Sequence, residues 1–279
     1  MDKKNITPFL KWAGGKTQLL DLIIENQPKK YNNYYEPFIG GGAVLFGIQP
    51  KKAHISDINN QLINIYTQLQ SDASKVIDAV KELDAISCDK EYYYKNRSRF
   101  NEKILTNTFD VECAALMIWI NKHCFNGLYR VNSKGLFNVP YNNRTSGVSA
   151  NEENLLAIGD YLKSVEIKCE DFEEACNSVK KNDFVYFDSP YLPESETADF
   201  TSYTKDGFSM NEHQRLADLF KALDKKGAFV MLSNNDVPLA HSLYEGYNIK
   251  SIDVKRFINR DAKNRKGKEV IITNYETTD

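Results

Sequence analysis

Residues 33–57, NYYEPFIGGGAVLFGIQPKKAHISD, decide the fold of this chain. Two short runs, 33–38 and 52–56, are predicted strands, and the glycines 40–42 follow the first of them. The second run ends at Asp57, and a helical apolar face then follows at Ile58, Leu62, Ile65 and Leu69. Strand, glycine turn, helix, strand, acid and helix in this order predict an open α/β sheet. Such sheets bind ligands at the carboxyl ends of their strands.

The rest of the chain interrupts this alternation and then resumes it. Residues 72–86 and 110–124 are predicted helices, and 125–144 is predicted to be a long loop or hairpin. A capping box of Ser209 and Glu212 opens another helix, which ends at Gly227. Further strands are predicted at 165–169, 184–187, 228–232 and 270–273. We therefore predict an α/β domain formed by residues 1–70 and 165–279. Residues 71–164 are predicted to be a mostly helical insertion that contains the hairpin.

Composition limits the class of protein. The 279 residues are 42% apolar and 27% charged, which is ordinary for a globular protein. No apolar run is long enough for a membrane span, and the start lacks the features of a signal peptide. The five cysteines are scattered without metal-ligand spacing. We therefore expect free thiols in a reducing cytoplasm, and no metal site.

Basic residues are concentrated in two segments, although the net charge is only −2. Residues 113–151 contain no Asp or Glu but include Lys122, Arg130, Lys134 and Arg144. Residues 255–268 contain seven basic residues and a single acid, Asp261. This distribution favours nucleic-acid binding on one face, although charge runs are also typical of plain solvated loops.

The tetrapeptide Asp188-Ser189-Pro190-Tyr191 follows a buried strand and predicts a site for a nucleobase amine. An acid and a backbone carbonyl can accept hydrogen bonds from an exocyclic NH2 group, and an aromatic ring can stack on the base. Chemistry on such an amine requires the base to leave the duplex and be held by its edge and its face. The alternative for Tyr191 is a core aromatic at a strand end.

Two glycine-rich segments each lack part of a phosphate-binding motif. Residues 12–17 end like a P-loop, but Leu10 stands where that motif needs glycine. Residues 40–42 supply two glycines of a dinucleotide fingerprint, and Leu45 occupies the third position. With Asp57 available to a ribose, an adenosine cofactor without a pyrophosphate is predicted. The alternatives are a tight turn without a ligand and Asp57 as a helix N-cap.

Several motifs in one order resemble DNA adenine methyltransferases of the Dam family, in the alpha group of the D12 class. They are FLKWAGGK at 9–16, EPFIGGG at 36–42, Asp57, FNGLYRVN at 125–132, FNVP at 137–140, DSPY at 188–191 and FTSY at 200–203. The resemblance implies a Rossmann-like methyltransferase domain with an inserted DNA-recognition domain. It also implies methylation of adenine N6 in double-stranded DNA, with GATC as the target.

The resemblance further implies S-adenosylmethionine as the methyl donor and S-adenosylhomocysteine as the product. The implied cofactor-binding residues are Trp12, Lys16, Glu36, Phe38, Gly40, Gly42, Asp57, Asp171, Phe172 and Asp188. The alternative for Trp12 is core packing, and without the resemblance Asp171 would be read as a turn residue. Adenine N6 should bond to the Asp188 carboxylate and the Ser189 carbonyl, with Tyr191 stacked on the base. Ser189 replaces the family's usual proline, so we expect an active enzyme with a less rigid turn.

DNA contacts are implied in the insertion and beside the cofactor loop. The implied DNA-binding residues are Lys11, Asn126, Leu128, Arg130, Pro140 and Arg144, with the basic residues of 255–268 on phosphates. Arg130 should read guanine, although alone it would be taken for a surface arginine. A cognate restriction endonuclease would act as a separate protein, and a monomer or weak dimer is expected. The alternatives are a same-fold enzyme with another DNA or RNA target, and a DNA-binding protein with impaired catalysis.

Overall fold

The computed structural model describes residues 5–145, 147–193, 208–255 and 266–277. The strands in these residues are β1 Tyr34–Glu36, β2 Ala53–Asp57, β3 Val165–Cys169, β4 Phe184–Phe187, β5 Phe229–Asn235, β6 Asn248–Lys255 and β7 Lys266–Thr273. They form one sheet in the order β3-β2-β1-β4-β5-β7-β6. The first five strands in this order are parallel, and β7 is antiparallel to both β5 and β6. The predicted Rossmann-like α/β fold is confirmed.

Helices cover both faces of the sheet. The described helices are α1 Leu20–Asn26, α2 Ala43–Ile48, α3 Asn60–Asp84, α4 Lys90–Leu105, α5 Val111–His123, α6 Glu152–Leu162, α7 Phe172–Ala175, α8 Met210–Lys225 and α9 Pro238–Leu243. Short 3-10 turns lie at Lys16–Gln18 and Phe125–Gly127. The predicted capping box of Ser209 and Glu212 is present at the start of α8. None of the described helices has the length and apolar character that crossing a bilayer requires.

Alternate residues of β4 point to opposite faces of the sheet, as strand geometry requires. Phe184 and Tyr186 belong to the apolar core that includes α2, α3 and α5. Val185 and Phe187 belong to the core beneath α8 and α9. All four side chains are fully buried. A strand that is buried on both faces reads as a continuous apolar run, which explains why the sequence predicts this strand well.

The insertion shares its core with the sheet. Buried residues of α3, α5 and the 125–144 segment lie in the same cluster as the β1 and β4 residues of that face. The predicted helices 58–69 and 72–86 are one helix, α3, whose backbone is non-helical at Asp72 (φ −158°, ψ 88°). That kink lies beside the predicted domain boundary at residues 70 and 71, and the division into two domains stays a prediction.

Several of the described elements were not predicted from the sequence, among them α4, α6 and β6. Helix α4 buries only Tyr93, Asn96 and Phe100 over 16 residues, so its apolar stripe is too narrow to stand out. Helix α6 was not predicted either, although its buried Leu155, Ile158 and Leu162 have helical spacing. Strand β6 is the sheet edge, where the exposed neighbours Lys250 and Ser251 interrupt the alternation of strand residues.

Candidate active site and DNA-facing surface

The strand order changes direction between β1 and β4, which are neighbours in the sheet. Loops that leave the carboxyl ends of these two strands therefore diverge and leave a crevice between them. The glycine turn follows β1, and the tetrapeptide beginning at Asp188 follows β4. Two predicted motifs that are far apart in sequence thus lie on the two sides of one crevice.

Asp188 is paired with a lysine from the amino-terminal segment. The ammonium of Lys16 lies 2.5 Å from Asp188 Oδ1, and the lysine side chain is only 2% exposed. The same ammonium donates to the Gly14 carbonyl at 2.7 Å and to the Tyr191 hydroxyl at 3.2 Å. A buried ammonium needs such partners, because burying an unpaired charge is costly. The structure therefore joins residues 14–16 to the tetrapeptide.

The carboxyl of Asp188 lies in an environment that favours taking up a proton. Burial raises its pKa above the usual range, the Lys16 ammonium opposes this shift, and Glu269 adds to it. Ser233 Oγ lies 3.4 Å from Asp188 Oδ1 and 2.8 Å from the Tyr186 hydroxyl. Such a carboxylate can accept a hydrogen bond from an amine and then receive its proton.

The turn after Asp188 is held by two asparagines that sequence reasoning did not single out. Asn234 and Asn235 end β5, and their side chains bond to residues 189–192. Ser189 is 2% exposed, so its hydroxyl lies inside this network rather than in solvent. The expectation that serine merely loses the rigidity of proline is therefore incomplete, because the serine gains a side-chain hydrogen bond.

The glycine turn lies directly against Trp12. Gly40 has φ +48°, and a Cβ atom at this position would lie 2.8 Å from Trp12 Cδ1. The Trp12 ring is also stacked on Tyr129, with centroids 5.2 Å apart. Trp12 thus contacts both the glycine turn and the predicted recognition hairpin. Glu36 is buried beneath the turn, where its carboxyl accepts a hydrogen bond from the Tyr34 hydroxyl at 2.7 Å.

Asp57 joins the end of β2 to the glycine turn. Its carboxylate accepts the backbone N–H of Gly40 at 3.2 Å and that of Asn59 at 3.0 Å. The helix N-cap is Asn59 rather than Asp57, since the Asn59 side chain accepts the N–H of Leu62. Burial raises the pKa of Asp57 to about 6, and the two backbone N–H groups oppose that shift. Ile58, which sequence reasoning did not assign to the site, is 61% exposed beside this acid.

A third group of predicted residues follows β3. Asp171 caps α7 by accepting the Glu173 N–H at 3.0 Å, and it pairs with Arg215 at 2.9 Å. The Phe172 ring is stacked on Phe38, with centroids 5.4 Å apart. Arg215 lies over the Phe172 ring at 4.8 Å from its centroid. Arg215 had no sequence signal, since its position depends on how α8 packs beside α7.

The segment 125–144 folds back on itself as a hairpin. Bridges pair Cys124 with Tyr141 and Val131 with Phe137. Inward side chains are buried, at Tyr129, Val131, Phe137, Val139 and Tyr141. The predicted DNA-binding residues lie between them and are exposed or half-buried, at Asn126, Leu128, Arg130 and Pro140. Strand-like alternation thus presents one polar face to solvent.

Arg130 is oriented across this hairpin. Its Nε donates to Asn138 Oδ1 at 2.8 Å, and the backbone of Asn138 bonds to the Arg130 carbonyl at 3.1 Å. This contact uses one of the five guanidinium donors. The terminal nitrogens carry the remaining four, and they are the pair that can address an acceptor bidentately.

The hairpin is fastened to α4 by side chains at helical spacing. Tyr93 and Arg97 both donate to the Val139 carbonyl, at 2.9 and 3.2 Å. Asn101 bonds to both backbone groups of Phe137, at 2.8 and 3.0 Å. Residues 93, 97 and 101 share one face of the helix. A helix that the sequence did not reveal therefore supports the return strand of the hairpin.

Lys11 is fastened to the start of the same hairpin. Asn121 accepts the Lys11 N–H at 2.9 Å and donates to the carbonyls of Lys11 and Gly127. A Cβ atom at Gly127, which has φ +67°, would lie 2.5 Å from Lys11 Cδ. The glycine thus permits the lysine stem to cross the hairpin. The structure brings Lys11 to Asn126 and Leu128, as a joint DNA-facing role requires.

Some predicted residues contribute less or lie outside the described part. Arg144 is exposed at the end of the hairpin. The motif at 200–203 and most of the basic segment 255–268 lie outside the described residues. Among the residues that the structure describes, no group of three or more His, Cys, Asp or Glu side chains could hold a metal ion.

An open sheet with polar groups gathered at its switch point defines the class of doubly wound α/β enzymes that bind nucleotide-like ligands. The family model of D12 class N6 adenine-specific DNA methyltransferases matches residues 12–258. The chain belongs to this family. It is an enzyme that methylates adenine, its substrate is DNA, and its family implies a methyl donor.

Relatives match over nearly the whole chain. The type II methyltransferase M1.LlaDCHI of Lactococcus lactis subsp. cremoris is 45% identical, over 98% of this chain and 97% of that protein. The type II methyltransferase M.MjaIII of Methanocaldococcus jannaschii is also 45% identical, over 97% and 99%. The DNA adenine methylase of Haemophilus influenzae is 34% identical, over 95% and 92%.

Proposed function

We propose that this enzyme transfers the methyl group of S-adenosylmethionine to N6 of adenine within GATC in double-stranded DNA. The observation that carries the proposal is the carboxylate of Asp188 at the switch point, held 2.5 Å from the Lys16 ammonium. This acid lies across the crevice from a glycine turn and a second acid, Asp57. One side of the crevice suits an exocyclic amine and the other suits an adenosine.

The donor side has residues that match the parts of S-adenosylmethionine. Asp57 would accept hydrogen bonds from the ribose hydroxyls. The exposed Ile58 and the aromatic pair Phe38 and Phe172 would border the adenine ring. Gly40 permits close approach at the turn, since a side chain there would meet Trp12. S-adenosylmethionine supplies an electrophilic methyl group bound to a sulfonium.

The acceptor side activates a poor nucleophile by positioning it. The adenine N6 lone pair is delocalised into the ring, so the amine must become more tetrahedral to react. Its two hydrogens would be held by the Asp188 carboxylate and the Ser189 carbonyl. The known contacts of Asp188 use Oδ1, and we assign Oδ2 to N6.

The transfer forms the N6–methyl bond, breaks the sulfur–methyl bond and leaves an extra proton on N6. We assign that proton to Asp188, because burial raises the pKa of this carboxyl. Tyr191 would stack on the extruded base, a contact worth about 1–3 kcal/mol. Positioning and electrostatic stabilisation would supply most of the rate.

The DNA-facing surface consists of Lys11, Asn126, Leu128, Arg130 and Pro140. Arg130 would read guanine with its terminal nitrogens, and the aliphatic Leu128 and Pro140 would contact a thymine methyl. The exposed Phe125 adds an aromatic ring beside this surface. GATC is the target that the resemblance of residues 125–132 and 137–140 implies.

A labelled-methyl assay tests the proposal. The enzyme is incubated with S-adenosylmethionine and a duplex that contains one GATC site. Matched duplexes carry GTAC, or GATC with N6-methyladenine on both strands. We expect transfer to the first duplex alone. Equal transfer to the GTAC duplex would refute the target sequence, and no transfer to any adenine duplex would refute the donor.

We also propose that the enzyme acts as a monomer or weak dimer, separately from a restriction endonuclease with the same target. Support comes from the two relatives that are named type II methyltransferases. Host DNA would then resist cleavage by a GATC endonuclease, and sedimentation would give a mass near 32.0 kDa. Cleavable host DNA would argue against this pairing.

Affinity for S-adenosylmethionine is expected to increase as the pH rises through about 6, the raised pKa of Asp57. The ionised carboxylate accepts hydrogen bonds from both ribose hydroxyls, whereas the protonated form, present at lower pH, accepts them poorly. Calorimetric titrations between about pH 5 and pH 8 measure this change. Asp57→Asn should bind weakly with no such dependence. A wild-type affinity that is constant over this range would contradict the role of Asp57.

Replacing Arg130 by alanine is expected to weaken discrimination at the guanine of GATC by about 1–3 kcal/mol. The loss should appear as a smaller ratio of kcat/KM between GATC and duplexes substituted at that base. Asn138→Ala should give a smaller loss, because it frees the guanidinium without removing it. Lys134→Ala, at the exposed hairpin tip, should affect all duplexes equally. If the ratio of kcat/KM is unchanged in Arg130→Ala, a residue other than Arg130 recognises the guanine.

A further inference from the structure

The catalytic turn is supported from the neighbouring strand, and the role of this support rests on the proposed function. We propose that Asn234 is a positioning residue that holds the turn after Asp188, and that the Ser189 hydroxyl is its specific partner. Proline in the family's usual tetrapeptide stiffens its own backbone by a ring. In this chain a hydrogen-bond network fixes the same turn from the neighbouring strand.

Asn234 contacts the turn at three points. Its Nδ2 donates to Ser189 Oγ at 3.1 Å and to the Pro190 carbonyl at 3.2 Å. Its Oδ1 accepts the N–H of Leu192 at 2.9 Å. The side chain is 1% exposed, so water does not compete for these groups. Each contact fixes a polar group of the turn relative to β5.

Asn235 fixes the orientation of the Asn234 amide. The Asn235 N–H donates to Asn234 Oδ1 at 2.9 Å, and its Nδ2 donates to the Leu192 carbonyl at 2.7 Å. Asn234 Oδ1 therefore faces two donors, and its Nδ2 faces a carbonyl. A flipped amide would set donor against donor and acceptor against acceptor, so one orientation alone satisfies the network.

The strand that carries this pair is a rigid support. Strand β5 lies between β4 and β7, and all its residues from Val230 to Asn235 are buried. Its neighbour β4 ends one residue before Asp188. The hydrogen bonds of Asn234 and Asn235 thus attach the turn to the same sheet that positions the Asp188 carboxylate.

Serine at position 189 has a function in this network that proline cannot supply. A proline has no hydroxyl, so one of the two Asn234 N–H groups would lose its acceptor inside the protein. A buried donor without an acceptor destabilises the surrounding structure. Ser189→Pro should therefore leave the turnover unchanged or lower it, whereas a merely loosened turn would gain activity from the proline ring.

The network bears on catalysis because it supports two adjacent acceptors. The Asp188 carboxylate and the Ser189 carbonyl are consecutive along the chain, and both would bond to N6. A tilt of the peptide plane after Ser189 moves the carbonyl away from the amine. Misplacing a reacting group by about 1 Å can slow a reaction about 100-fold.

Single-turnover methylation of the GATC duplex tests the proposal with three variants. Asn234→Ala should slow the transfer by about ten-fold to 100-fold, and Ser189→Ala by about three-fold to ten-fold. The double variant should be no slower than Asn234→Ala, because the serine hydroxyl acts through the asparagine. Affinities for S-adenosylmethionine and DNA should change little. Amide hydrogen exchange at Leu192 should accelerate in Asn234→Ala, which measures the loosened turn directly.

Asn274→Ala is the matched control. The Asn274 side chain also makes three hydrogen bonds, to Val230, Ala228 and Asp224, but at the opposite end of β5. This variant should lower the melting temperature and leave the transfer rate unchanged. A purely structural asparagine at position 234 would behave in the same way.

The outcomes separate this proposal from the proposed function. An active wild type with unaffected Asn234→Ala and Ser189→Ala variants would overturn the positioning role alone, as would a gain of activity in Ser189→Pro. If Asn234→Ala does not fold, the transfer rate of Ser189→Ala tests the positioning role, because this variant removes only one hydroxyl group. A wild type that transfers no methyl group from S-adenosylmethionine would overturn the proposed function and this inference with it.

Discussion

Replacing Asp188 by asparagine is expected to slow methyl transfer by about 1,000-fold while the protein stays folded. The change converts the oxygen assigned to N6 into a donor, which would face the amine hydrogen instead of accepting it. It also removes the group that takes the N6 proton. Both losses act on the reacting atoms, so the rate constant of the chemical step should fall more than the affinity for DNA.

Asparagine tests the role of the Asp188 carboxylate more specifically than alanine does. Alanine would leave the Lys16 ammonium buried without its counter-ion, and removing one partner of a buried pair costs about 3–5 kcal/mol. The amide oxygen of asparagine can still accept from Lys16 and Ser233. A loss of activity in this variant would therefore reflect chemistry rather than unfolding.

The measurement is single-turnover transfer of a labelled methyl group, with melting temperature and S-adenosylmethionine affinity recorded in parallel. Asp218→Asn is a matched control, because Asp218 is an exposed aspartate on α8. It should behave like the wild type. An Asp188→Asn enzyme within a factor of about five of the wild-type rate would refute the mechanism.

Replacing Lys16 by methionine is expected to lower activity at neutral pH by about ten-fold to 1,000-fold, and to restore part of it at higher pH. The ammonium lowers the pKa of Asp188 against the effect of burial. Without it the pKa of Asp188 should rise further, because burial would then act unopposed by the ammonium. The protonated carboxyl is a poorer acceptor for the N6 hydrogen and cannot take up the N6 proton, so activity requires the ionised form.

The sign of the pH dependence follows from that requirement. Raising the pKa of an essential carboxylate moves the acidic limb of the pH–rate profile to higher pH. Lys16→Met should therefore gain activity with rising pH over a range where the wild type is already constant. Lys16→Arg, which keeps a positive charge, should shift the limb less.

The control for this variant is Lys29→Met. Lys29 is exposed before the start of β1, at the opposite end of the sheet from the crevice. It should leave the profile unchanged. If Lys16→Met lowers activity by the same factor at every pH, Lys16 acts by packing or by binding the donor, and not by tuning Asp188.

The ends of the strands were predictable because their chemistry is local. The glycine turn after β1, Asp57 at the end of β2 and Asp188 after β4 each follow a short predicted strand. Parallel strands bring their carboxyl ends to one edge, so their joint position follows from the fold class. The hairpin was predictable in part, since its glycines and alternating aromatics are a local signal.

The partners of these residues were not predictable in the same way. The resemblance predicts Lys16 in the donor pocket, and the structure places its ammonium on a carboxylate 172 residues away in sequence. Asn234, Asn235 and Arg215 had no signal, because a single polar residue at a strand end or on a helix has many possible partners. Helix α4 was missed for a related reason, since its polar side chains serve the hairpin backbone.

The sequence by itself determined the α/β class, the order of its motifs and the acids at the ends of β2, β3 and β4. These properties depend on apolar periodicity and turn chemistry, which act over a few residues. Only the tertiary structure decided that Lys16 neutralises Asp188, that Asn234 holds Ser189, and that α4 supports the recognition hairpin. Such contacts depend on distances between elements far apart in the chain. Those distances are set by how helices and strands pack around a common core.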